Sequence, residues 1–179
     1  MDEEKKKYRL TKETRFFQGI KIYRIQALCS FAHVKEGQKG GFVENDTNLS
    51  QYDACWIDDD AIVCGDAWVH GNAQVQGHAR VFDAAEVYGE TIICDYARIF
   101  GKARITQQAS VIGHAKISES AVVSDQACIK DYAEVGGNAW VYQQAVVGGW
   151  EKIGDYDRII SNSLDKKRFQ RKLTFYGFG

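Results

Sequence analysis

His78 and His114 stand thirty-six residues apart with Tyr96 midway, and two residues after each come Arg80, Arg98 and Lys116, so cations and rings recur at one eighteen-residue step. Phe82 and Phe100 follow at the same step. An imidazole with a near-neutral pKa can serve as a general base, and guanidinium and ammonium groups hold carboxylates or phosphates. The five cysteines, Cys29, Cys55, Cys64, Cys94 and Cys128, are odd in number and show no C-x-x-C spacing. That pattern fits neither a disulfide framework nor a thiolate zinc site, and reduced thiols are expected. No glycine-rich phosphate loop, Ser-His-Asp order or paired carboxylates appear.

The element that must position these residues is a repeat. From Tyr52 to Val147 the chain divides without insertion into sixteen hexads, such as HGNAQV, QGHARV, CDYARI and IGHAKI. The sixth place is always Val or Ile, and the fourth is Ala in fourteen of the sixteen, with Cys55 and Thr91 as small exceptions. Read as backbone, A-x-V-x is a short strand whose Ala and Val face inward while the x residues face outward. The next pair, often Gly-Asn, Gly-His or Asp-Tyr, turns the chain, and Gly and Asn belong at such corners because they tolerate positive φ. A strand and a corner every six residues leave no length for hairpin returns. They predict an all-β parallel helix with three short strands per coil, eighteen residues around. The complete lack of proline suits such uninterrupted ladders.

At eighteen residues per coil, residues of one column stack about 4.8 Å apart. One corner column reads Asp60, His78, Tyr96, His114, Tyr132, and the face after it Ile62, Arg80, Arg98, Lys116, Glu134. Like charges on neighbouring strands are unfavourable. Two readings follow. Either an anionic partner sits on Arg80, Arg98 and Lys116 while His78, Tyr96 and His114 donate hydrogen bonds or stack, or the arginine stems lie over Phe82 and Phe100 as cation-π pairs or the carboxylates of another subunit neutralise the cations. A second face carries Ile92, Cys94, Ile112 and Val146, an apolar strip read either as a subunit interface in a closed cyclic oligomer or as ground covered by a terminal segment. The third, with Trp68, Trp140, His70, Tyr88 and Tyr142, reads as cross-strand aromatic packing.

Three segments result: a capping segment over residues 1–51 with short strands, the helix over 52–153, and a basic, aromatic tail over 154–179. The first 51 residues carry ten cations and seven anions, the hexads six and thirteen, and the remainder seven and four. The tail's KKRFQRK is compatible with single-stranded nucleic acid, or equally with a solvated terminus. No run reaches the roughly 18 apolar residues of a membrane span, and MDEEKKKYRL is too polar for a signal peptide. A soluble, cytoplasmic protein is expected.

KYRLTKET, IQAL, FAHVKEGQKGGFVEN and NLSQYDACWI, in that order before the hexads, and IGDYDRII after them, resemble the YdcK-like hexapeptide-repeat proteins of bacteria and prophages. The resemblance implies a left-handed coil and a trimer, and it supplies no reaction. Hexapeptide-repeat acyltransferases use a histidine base beside loops that build the pocket, and residues 52–147 contain no loop insertion. VIGHAKI is similar to the zinc-binding element of γ-class carbonic anhydrases at His114, but the companion histidine is missing, so no metal or cofactor is expected. The reading is a non-enzymatic scaffold, a homotrimer that engages a protein or nucleoprotein, with inhibition of a host defence complex as the case a prophage setting implies. The alternative is an acetyl-CoA-dependent acyltransferase with His78 or His114 as base at a subunit boundary.

Overall fold

A computed structural model describes residues 6–160. The hairpin β1 (Tyr8–Phe17) and β2 (Ile20–Ala27) is followed by β3 (Lys39–Val43) and then by eighteen two-residue strands, from β4 (Trp56–Ile57) to β21 (Arg158–Ile159), one every six residues. These stack as the expected left-handed parallel β-helix of about seven turns, with three sheets and no helix among the described residues. Two of the sheets have six strands each, and the third has nine because β1, β2 and β3 extend it downward. β1 and β2 pair antiparallel, as do β2 and β3, and β3 then joins the first coil in parallel. Residues eighteen apart are partners throughout, as in Ile62↔Arg80↔Arg98↔Lys116↔Glu134↔Lys152. The repeat runs on through the two degenerate hexads GGWEKI and GDYDRI, so the last strand, β21, lies beyond residue 153.

The core follows from the strand's two-residue parity. Every inward residue at the fourth and sixth hexad places from Cys55 to Val147 is at most 1% exposed. Turning a corner in two residues needs a left-handed backbone, and the second hexad place has φ between 53° and 84° in all eighteen hexads from Asp53 to Asp155. At the corners from Asp53 to Asp131 where that residue is Asp, its carboxylate accepts the N–H of the corner one coil above, as Asp59 does from Gly77 (3.0 Å) and Asp95 from Gly113 (3.0 Å).

The base of the coil is closed by the first segment. Lys7, 5% exposed, donates from Nζ to the carbonyls of Tyr52 (2.8 Å), Cys55 (3.0 Å) and Asp53 (3.2 Å). Burial pushes its pKa down, against the opposing pull of Cys55 and Asp53. Rings of Tyr8 and Phe31 pack edge-on against Trp56, whose side chain is fully buried. Residues 161–179, including KKRFQRK, lie outside the described residues, and so does the nucleic-acid reading of that stretch.

Candidate functional site

The eighteen-residue period turns the corner after the apolar strip into a column of rings. His78 and Tyr96 stack at 5.0 Å, Tyr96 and His114 at 4.9 Å, and His114 and Tyr132 at 4.8 Å. Trp150 completes the column on Tyr132 at 4.2 Å. Spacings this close to one coil rise mean that each ring's faces are taken by its neighbours, so no planar ligand can enter between rungs. What remains available to a partner is the outward edge, with the imidazole nitrogens of the histidines and the hydroxyls of the tyrosines. Tyr96, Tyr132 and Trp150 are 52%, 45% and 76% exposed.

Beside this column the three cations part ways. Lys116 Nζ donates to Glu134 at 2.9 Å, and Lys152 one coil further up approaches the other carboxylate oxygen at 2.9 Å. The two ammonium groups, Lys152 foremost, hold the Glu134 carboxyl down to about 2. Arg80 and Arg98 have no ion pair among the described residues. The Arg80 guanidinium lies over Phe17 from the hairpin (5.1 Å), and that of Arg98 over Phe82 (5.9 Å). Phe82 is itself stacked on Phe100 (5.1 Å) and met edge-on by Phe17. Aromatic contact fixes the guanidinium planes without neutralising them, and Arg98 Nε is buried with no hydrogen-bond partner. The lower half of this face therefore keeps two uncompensated cations held in place, next to His78 and Tyr96. At its foot Asp60, first in the ring column, is bound by Arg15 (2.9 Å) and Arg24 (3.2 Å) of the hairpin.

His78 and His114 are separated by Tyr96, so the two cannot ligate one zinc at ~2.1 Å each. Among the described residues no group of three or more metal-ligating side chains occurs, and the rings of His78 and His114 are placed by stacking on Tyr96 and Tyr132. His70 is different. Its ring is stacked between Trp68 (3.8 Å) and Tyr88 (4.9 Å), with Nε2 3.3 Å from Glu86. On the same face Trp140 meets Tyr142 edge-on and lies under Arg158.

On the apolar face Ile92 and Val146 are 45% and 36% exposed, and Cys94 and Ile112 are half-buried. The first segment covers only the foot of this column, at Trp56. All five cysteines are free thiols, and burial pushes that of Cys64 up to about 11.

Two features were missed in the sequence. Trp150 sits in a degenerate hexad, yet lies eighteen residues after Tyr132. Another corner carries the ladder Glu90, Gln108, Gln126, Gln144 at the same step, and the period alone could have found it. Compared with protein-family models and with curated proteins, the chain matches none, and what marks it as a hexapeptide-repeat β-helix is the six-residue period of its own strands.

Proposed function

We propose that this chain is a non-catalytic β-solenoid scaffold that displays binding ladders to a protein or nucleoprotein partner. The observation that carries the reading is the uninterrupted coil. Every corner from residue 53 to 155 turns in the same way, with no loop to wall a pocket around a histidine. Enzymes position a base against a substrate held in a concave site, whereas here His78 and His114 stand in a stacked column at an exterior corner, and no histidine lines the groove along the glutamine corner. Arg80 and Arg98, with the outward edges of His78 and Tyr96, form the face assigned to an anionic partner surface. Lys116 contributes less, being held by Glu134. The strip of Ile92, Cys94, Ile112 and Val146 is assigned to contact between copies in a trimer. The resemblance to YdcK-like proteins belongs with this reading, and a prophage setting makes a host defence complex the partner to try first.

The test is affinity capture from the source cell, with Arg80→Gln/Arg98→Gln run beside the unaltered chain. A partner retained by the unaltered chain and lost by the variant, at unchanged Tm, is expected. Equal retention rejects this face. A thermal shift produced by acetyl-CoA and abolished in His114→Ala would overturn the non-catalytic reading in favour of an acyltransferase.

A further inference from the structure

A six-residue repeat needs left-handed or small residues at its corners, and nothing in that need selects glutamine. One corner nevertheless carries it coil after coil. Gln108 Nε2 donates to Glu90 (3.1 Å), Gln126 Nε2 to Gln108 Oε1 (3.2 Å), and Gln144 Nε2 to Gln126 Oε1 (3.3 Å). The preceding residues form a second row, in which Gln107 Oε1 accepts the Asp125 N–H (2.5 Å) and Asp125 Oδ2 the Gln143 N–H (2.7 Å). These rows line an open groove of about 680 Å³ that runs along the coil, with neither a cation nor an apolar side chain among its lining residues. At the same hexad place the second corner carries stacked rings, and the third carries Asp66, Ala84, Lys102, Ser120 and Asn138, with no repeated type.

The groove's chemistry narrows its ligand. A primary amide has two N–H donors and two acceptor lone pairs. Gln108 and Gln126 each use one of both on the ladder, leaving one donor and one acceptor per coil in a fixed order. Phosphate offers only acceptors and meets Glu90 and Asp125. An ammonium offers only donors and leaves the amide N–H groups unmet, and an apolar ligand strands every group. An extended peptide has both kinds of group, but its ~3.3 Å rise per residue repeats on one side at about 6.6 Å, out of step with rungs about 4.8 Å apart. Hydroxyls donate and accept, and they rotate to suit.

We propose that this groove binds a neutral, polyhydroxylated chain, a glycan lying along the coil axis across four rungs, or about 14 Å, with Gln108 and Gln126 as its central contacts. The site is separate from the arginine face and stands whether or not that face binds a partner. The test follows the glutamine side-chain amide signals in ¹⁵N NMR while cellohexaose, maltohexaose or chitohexaose is titrated into the full chain. Saturable shifts at Gln108, Gln126 and Gln144 with at least one of the three are expected in the millimolar range. Affinity should fall at least about tenfold in Gln108→Ala/Gln126→Ala and stay unchanged in Arg80→Gln/Arg98→Gln. Both altered glutamines are exposed corner residues, and an unchanged Tm checks that the variant folds. Absence of saturation with all three sugars overturns the proposal. So do shifts that persist in the double-alanine variant, or saturation only by a glutamine-rich peptide or by polyphosphate.

Discussion

Thr91 puts a hydroxyl where fourteen of sixteen hexads place Ala, and its Oγ1 is buried without a hydrogen-bond partner. A buried, unpaired hydroxyl costs about 1–3 kcal/mol. Thr91→Val keeps the shape and removes the orphan, so urea denaturation should show it about 1 kcal/mol more stable than the unaltered chain. Glu134 makes a second prediction at this scale. Its carboxyl is held at about 2, below the ordinary 4.5, so the folded chain keeps it ionised where the unfolded chain binds a proton. Its contribution is complete above about pH 4.5 and fades as pH falls through about 2. In Glu134→Gln the column presents Lys116 and Lys152 with no negative charge between them. The stability difference from the unaltered chain should be present at neutral pH, shrink on acidification across that window, and weaken with added salt; a difference independent of pH would reject the clamp. Cation identity and column were readable from spacing. The division of the cations was not, because Lys116 reaches Glu134 and Arg98 turns over Phe82 by choice of rotamer.

At the scale of elements, the hexad period specified strands, corners and register, since side-chain parity and a fixed step are local properties that repeat by translation. The first segment has no such period. Its alternation suggests short strands around a turn at Gly40-Gly41, whereas the structure puts both glycines inside β3, where a Cβ would run into the backbone oxygens of Ile57 and Ala61; the placement of Phe17 against Phe82 and of Arg15 and Arg24 on Asp60 depends on how the hairpin folds back. Lys7 pins that arrangement by filling the base of the coil. Lys7→Met retains the stem and leaves the carbonyls of Tyr52, Asp53 and Cys55 without their donor. A loss of at least about 2 kcal/mol is expected, with hydrogen exchange accelerated in β1 and β2 while the upper coils stay protected. Uniform acceleration through all coils would show that the hairpin and coil unfold as one unit instead.

For the whole molecule, the coil leaves one face with Ile92 at 45% exposure between the ring corner and the amide corner. The proposed trimer places this strip between copies, and light scattering should return three times the chain mass. Ile92→Lys/Ile112→Lys would put charge into that contact and should return a single chain mass with the circular-dichroism spectrum of a β-protein preserved. A single mass for the unaltered chain would discard the trimer. By itself the amino-acid sequence determined the coil, its buried Ala and Val/Ile columns, and which outward residues share a ladder, because a six-residue step repeated without interruption admits one way of burying every sixth side chain. Only the tertiary structure decided which ladders are covered, neutralised or left open: ring faces closed by stacking, Lys116 paired, Arg80 and Arg98 laid on aromatic rings, and a groove opened along the glutamines. Those outcomes depend on rotamers and on a hairpin folding back across the coil, and neither follows from a period.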